Sequence, residues 1–238
     1  YGQCQQHKLD DLGRVGREGR VRELSGCGAR KEAARLDGIR QLRATGKQRA
    51  RLADAEPVAA PRRDRLAAIP GVTEVTIAGS YRRRRATVGD IDLLVASDKG
   101  EAVMERLVED DDVERVVSHG ATRSTVILGD GLQVDARAVA PDSFGAALLY
   151  FTGSKRHNVA LRQRAVDRGW KLNEYGLYDG DEPLEAASEA AIYRRLGLDW
   201  IPPELREDHG EIAAAESGSL PELVTVDSIR GNLHGHTD

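Results

Sequence analysis

AGSYRRRRATVGDIDLLVAS, residues 78–97, sets four arginines, Arg82 to Arg85, ahead of two aspartates, Asp90 and Asp92, and follows them at once with an apolar run. Aspartates at i and i+2 on a strand project from one face, a few ångströms apart. Carboxylates so placed repel unless a cation lies between them or one is protonated. The LLV run implies a buried strand, so its polar start belongs at a sheet edge or in a cleft. Asp135, in LQVDARAV (132–139), can bring a third carboxylate from a neighbouring strand. Three oxygen ligands around one cleft suit Mg²⁺, with Mn²⁺ as an alternative, because such an ion keeps waters and recruits substrate phosphates. Two such ions would activate an attacking hydroxyl and stabilise a leaving pyrophosphate.

Gly79-Ser80 supplies the other half. A strand that ends in Gly-Ser before a helix-compatible YRRRR exposes backbone N–H groups, and Gly lets a phosphate approach closely. An arginine one turn on can neutralise charge developing on that phosphate. The arginines and aspartates therefore need not neutralise each other, since a metal–triphosphate between them satisfies both. A D-x-D alone is common on surfaces, and a tetra-arginine alone is usually a solvated helix face. The combination with a Gly-Ser turn and a later lone Asp is far more restrictive and points to nucleotidyl transfer.

Outward from this stretch, VTEVTIAG (72–79), TRSTVIL (122–128) and LQVDARAV read as strands, with a helix-like GEAVMERLVED (100–110) among them. Before them, residues 9–54 read as short helices broken by glycine. Pro57 and Pro61 separate these from a further short helix, RRDRLAAI. After them, helical patterns return in SFGAALLYF and SKRHNVALRQRAVDRG. Residues 170–200 look mixed, EIAAAESGSLPEL (211–223) reads as a terminal helix and linker, and VTVDSIRGNLHGHTD begins like a new strand. The fold class expected is α/β (α+β): a mixed β-sheet preceded by helices and followed by an α/β segment.

Charge is uneven. Residues 1–90 carry 20 Lys and Arg against 11 Asp and Glu, whereas residues 91–238 carry 15 against 28. A basic front can hold a polyanion, and an acidic remainder can supply solubility or metal ligands. With two Phe and two Trp, the core must be built from Val, Leu, Ile and Ala. No apolar run approaches the roughly 20 residues that span a bilayer. Cys4 and Cys27 have no metal-ligand spacing, so a cytoplasmic protein without a membrane partner is expected. A chain that opens on Tyr1, with Met104 as its sole methionine, is expected to be a piece of a longer one.

GSYRRRRATVGDIDLLV resembles the nucleotide-binding palm motif of the X family of DNA polymerases, the DNA polymerase β-like family. LQVDARAV resembles its third-aspartate strand, and SFGAALLYFTGSKRHNVALR resembles its junction from palm to thumb. LNEYGLY and IYRRLGLDWIPPELREDHGEI are similar to the bacterial and archaeal thumb. IRGNLHGHTD is similar to the opening of a polymerase-and-histidinol-phosphatase (PHP) domain. The resemblance implies a helical DNA-binding region over 1–69, a nucleotidyltransferase palm over 70–142, a thumb over 143–215, a linker over 216–225 and a truncated PHP start over 226–238. It implies that Asp90, Asp92 and Asp135 bind two catalytic ions, and that Gly79, Ser80, Arg83 and Gly89 contact an incoming triphosphate. Tyr150, Phe151 and Gly153 would line the sugar and base pocket, with Asn158 at the nucleotide's minor-groove edge and Arg162 on the template strand. Arg137 and Glu174 stand at positions that pair in some members. Departures are Arg84 where β-like members have Gly, Ala86 where Glu is frequent, and Gln133 where vertebrate enzymes have Arg.

GRVRELSGCGARKEAARLDGI resembles a helix-hairpin-helix, whose Gly-x-Gly turn (Gly26 and Gly28 here) aims N–H groups at a DNA phosphate. Lys8, Lys31 and Lys47 exist, but nothing in their surroundings selects one as a lyase nucleophile. His234 and His236 form an incomplete PHP metal site, since two ligands cannot close a shell that needs three or four. His157 reads as a helix-surface or groove residue, and Glu109-Asp110-Asp111-Asp112 as a solvated turn. The expected function is DNA-directed DNA polymerisation with dNTP and gapped or primer-template DNA as partners, by a monomer, in short-gap repair. The alternatives are a nucleotidyltransferase acting on RNA or a small molecule, and a non-catalytic DNA-binding fragment.

Overall fold

A computed structural model describes residues 49–231. Gly26, Gly28, the three front lysines, both cysteines, His234 and His236 lie outside the described residues. The first strand, β1 (Ala50–Arg51), pairs antiparallel with β3 (Thr87–Val88). Helix α1 (Leu52–Ala67) contains both Pro57 and Pro61, which were expected to separate two helices. Each proline removes one donor from the i→i−4 ladder. Both prolines stand on the exposed face, as does Ala53, so the carbonyls left over can be hydrated while Ala55, Ala59 and Leu66 pack inward.

The palm sheet runs β2 (Val72–Ile77), β4 (Asp90–Ser97), β7 (Gln133–Val139), β6 (Arg123–Leu128), β5 (Val113–His119). β4 and β7 are parallel and every other pair is antiparallel, which makes the sheet mixed as expected. β5 was not anticipated. It is an edge strand with almost every side chain exposed, so VERVVSH lacks the apolar face that marks a half-buried strand. Helices α2 (Gly79–Arg82) and α3 (Gly100–Val108) fall between β2 and β5.

Period two assigns each face of β4. Ile91, Leu93 and Val95 join Val103, Met104, Val134 and Ala136 in the main core beneath α1 and α3. Leu94 and Ala96 face the other way, against Phe144, Ala147 and Leu148 of α4 (Phe144–Thr152). Asp90 and Asp92 share that second face. Their strand is thus apolar on one side from Ile91 to Val95, and polar on the other only where α4 no longer covers it.

The thumb follows: α5 (Lys155–Val166), the three-stranded antiparallel sheet β8 (Trp170–Asn173), β9 (Gly176–Asp179) and β10 (Glu182–Glu185), then α6 (Glu189–Arg195) and α7 (Glu211–Glu216). Its core is built on Leu149, Leu161, Leu177, Ile192, Tyr193 and Leu196. Val226–Ser228 forms an exposed 3₁₀ turn capped by Thr225, not the strand expected. No helix of the described residues is long and apolar enough to cross a membrane.

Two polar residues are placed differently from expectation. His157 is fully buried, with Nδ1 2.7 Å from Glu211 Oε1 and Nε2 2.7 Å from the Tyr193 hydroxyl. Burial pushes its imidazole below the ordinary value, against the opposing pull of the Glu211 carboxylate. Asp110 is only 8% exposed and is held by Arg62 and Arg65, each 3.2 Å away, so the acidic run is anchored rather than wholly solvated.

Candidate active site

The parallel register sets Asp92 beside Asp135 and Asp90 beside Gln133. Directly paired residues point to the same side of a sheet, so the three carboxylates share one face. All three line a cavity of about 280 Å³ with Arg123, Gln133, Arg137 and Phe151. Asp90 and Asp92 also line a larger cleft of about 680 Å³ beside it, which suits a nucleotide-sized ligand. The acids therefore stand where a nucleotide-sized space meets a second, smaller one.

Asp135 is tethered from two strands. The Thr125 hydroxyl donates to Oδ1 at 2.6 Å, the Gln133 amide donates to Oδ2, and Arg123 Nη2 lies 3.6 Å from Oδ1. Gln133, Thr125 and Arg123 thus orient this carboxylate without an arginine at position 133. No group of three His, Cys, Asp or Glu among the described residues is gathered closely enough to hold a metal ion as it stands. The donor set itself, carboxylate oxygens on adjacent strands at the lip of a cleft, fits a hard divalent cation.

Gly79 and Ser80 begin α2 directly above these acids, and both line the larger cleft. Gly79 has φ +59°, and a Cβ there would overlap the Asp92 carboxylate. The glycine is thus required by the close approach of β4 as well as by the backbone. Arg83, Tyr150, Phe151, Gly153, Asn158 and Arg162 line the same cleft, and Gly89 alone among the expected nucleotide contacts does not. Gly89 lies beneath the Arg49 guanidinium, which itself lines the cleft and is fixed by Thr87. Arg49, Arg85, Lys155 and Glu207 also line the cleft. Arg85 is the last of the arginine run, whereas nothing in the sequence marks Arg49, Lys155 or Glu207 as a site residue.

The arginine run divides its labour. Arg82 grips Glu189 with both terminal nitrogens at 2.8 Å, and Arg83 binds Glu207 through Nε at 2.8 Å and the Thr152 carbonyl through Nη1. Arg84 takes a left-handed φ of 53° and is exposed. Arg137 lies 4.6 Å over the Phe151 ring, and this stacking replaces the expected pair with Glu174. Asn158 donates to the Tyr150 carbonyl at 2.7 Å, tying α5 to the end of α4 at the cleft wall.

Two family models match the chain, the DNA polymerase beta palm over residues 53–167 and the DNA polymerase beta thumb over 147–207. The chain is 33% identical to DNA polymerase/3′-5′ exonuclease PolX of Bacillus subtilis (strain 168), across all of this chain and 42% of that protein. It is 27% identical to DNA polymerase lambda of Arabidopsis thaliana, across 58% of this chain and 32% of that protein. The chain thus spans less than half the length of these curated relatives. Polymerase beta of Leishmania infantum in its ternary gap complex superposes with a TM-score of 0.64 at 20% identity, over 84% of this chain and 80% of that one. In its ternary P/T complex the TM-score is 0.62 at 20% identity, over 84% of this chain and 88% of that one, a likeness of fold. With its palm and thumb both matched, in that order along the chain, the chain belongs to the DNA polymerase β-like X family.

Proposed function

We propose that this chain is the polymerising part of an X-family DNA polymerase, joining a dNTP to a primer 3′-hydroxyl in short gaps left by DNA repair. The observation that carries this reading is that Asp90, Asp92 and Asp135 share one face of the sheet and line one cavity, while Asp90 and Asp92 also line the adjoining cleft with Gly79 and Ser80. In the reaction the 3′-oxygen forms a bond to the α-phosphorus, the bond from that phosphorus to the bridging oxygen breaks, and pyrophosphate leaves. Two Mg²⁺ ions, when bound, lower the hydroxyl's pKa and neutralise the departing pyrophosphate. Asp90, Asp92 and Asp135 are the residues that would hold them. Thr125 and Gln133 keep Asp135 turned toward its neighbours. Ser80, the adjacent N–H groups and Arg83 grip the phosphate tail, whose charge the guanidinium offsets. Tyr150, Phe151 and Gly153 form the wall for sugar and base, and Asn158 faces the minor-groove edge.

Primer extension on one-nucleotide-gapped DNA tests this, set beside a tRNA 3′ end and an aminoglycoside. Incorporation on the gapped substrate is expected. Transfer confined to the other two would establish the RNA or small-molecule reading instead, and binding of DNA without turnover would leave a binding fragment.

Two substitutions probe the cleft walls. Gly79→Ala meets both a positive φ and the Asp92 carboxylate, so stability should fall by about 1–2 kcal/mol. Incorporation should fall further than that, because the displaced group is Asp92. Denaturant melts run beside extension assays separate the two effects, and equal losses would remove Asp92 from the argument. Arg162→Ala should lower extension efficiency several-fold and flatten its salt dependence, while dNTP binding without DNA stays unchanged. An unaltered extension profile would refute the template role of Arg162.

A further inference from the structure

Glu207 reaches into the nucleotide cleft from the loop that closes the thumb, where it lines the wall with Gly79, Ser80, Asp90 and Asp92. Its carboxylate stands between two arginines, 2.8 Å from Arg83 Nε and 3.7 Å from Arg85 Nε. Two guanidiniums around one anion is the arrangement a phosphate group takes. Among the described residues, no backbone N–H or hydroxyl binds that carboxylate, so these arginines alone hold it. Arg83 has a second anchor in the Thr152 carbonyl, which keeps it at the cleft wall if Glu207 leaves. The preceding Arg206 is fully buried and fixed to Glu189 and Ile201, so Glu207 can swing without loosening the thumb.

We propose that Glu207 is an internal counter-anion which occupies the phosphate-binding arginines and must be displaced by the polyphosphate tail of the incoming nucleotide. It thereby sets nucleotide affinity, and only a ligand that binds these arginines more strongly than the carboxylate does takes its place. This inference rests on the nucleotidyl-transfer reading, but its central measurement does not require turnover.

The test is Glu207→Gln in the full chain, which keeps an acceptor for Arg83 and removes only the charge. Glu216→Gln, which breaks an exposed thumb ion pair with Arg164, is the control. Calorimetric titration with inorganic tripolyphosphate, without DNA, should show affinity raised roughly tenfold in Glu207→Gln and unchanged in the control. Inorganic phosphate should gain by a similar factor, since the carboxylate must leave for either anion. On gapped DNA, KM for dNTP should fall by a similar factor with kcat unchanged. Glu207→Asp, one methylene shorter with its charge retained, should rise less than Glu207→Gln, and it serves as the second variant if the amide fails to fold. Unchanged or weakened tripolyphosphate binding in these variants would overturn the proposal, and a raised KM would show that Glu207 positions Arg83 instead. An inactive wild type that still showed the tripolyphosphate effect would sink the polymerase reading and leave the counter-anion role standing.

Discussion

Asp92→Ala is expected to abolish incorporation while leaving the fold intact. Asp92 is the one acid that touches all the parts of the site: it pairs in register with Asp135, follows Asp90 on the same face and packs under Gly79. Losing a ligand to a catalytic cation removes several kcal/mol of transition-state stabilisation, or about 10³-fold in rate. Stability should change little or rise, because the substitution deletes one of three neighbouring carboxylates and opens space beneath Gly79. Asp92→Asn keeps the shape and should be equally silent, which excludes a purely steric cause. Pyrophosphate release measured beside a thermal melt decides the matter, and turnover within tenfold of wild type in either variant would remove Asp92 from the metal-binding set.

What was legible in the sequence was what local pattern determines. The period-two alternation of DIDLLVAS fixes which residues share a face, and the Gly-Ser turn next to it announces a close backbone approach. Its partner strand could be named because LQVDARAV carries the same alternation with a single acid in it. Residues whose surroundings come from far along the chain were not legible. His157 looks like a surface residue until Tyr193 and Glu211, 36 and 54 positions away, enclose it. Asp110 looks solvated until Arg62, 48 positions earlier, folds against it. The arginine run announced anion binding but not its division among Glu189, Glu207 and solvent, because the thumb carboxylates arrive more than 100 positions later. Arg137 stacks on the partly buried Phe151 ring rather than pairing with the expected carboxylate, a choice no spacing encodes. β5 escaped because an edge strand need not be amphipathic, and α1 because a proline's cost depends on which side of the helix meets water.

Glu189→Ala should be the most destabilising single change in the described chain. Glu189 is buried between two cations, accepting from both terminal nitrogens of Arg82 at 2.8 Å and from Arg206 Nη1 at 2.6 Å. Arg206 is 0% exposed, and beyond Glu189 its guanidinium meets, among the described residues, only the Ile201 carbonyl and the faces of Tyr193 and Trp200. Without the carboxylate, the fully buried Arg206 and the partly buried Arg82 both lose their counter-charge, a loss of about 3–5 kcal/mol. For a chain of this size that corresponds to a melting temperature lower by roughly 10 °C. Adding Arg206→Met to Glu189→Ala should recover part of the loss, because it removes the stranded cation and fills its space with an apolar group. The same cluster fixes an acid limit. Burial alone would raise the Glu189 carboxyl, but the hydrogen bonds from Arg82 and the charge and hydrogen bond of Arg206 outweigh it and hold the group at about 2, against an ordinary value of 4.5. A folded-state pKa below the unfolded one contributes stability above pH 4.5 and loses it as pH falls toward 2, on the order of 3 kcal/mol in all. Wild type and Glu189→Gln should therefore differ most in stability near neutral pH and converge toward pH 2. Parallel urea melts across that range would show it, and a gap that stays constant with pH would mean that Glu189 acts by its shape and not by its charge.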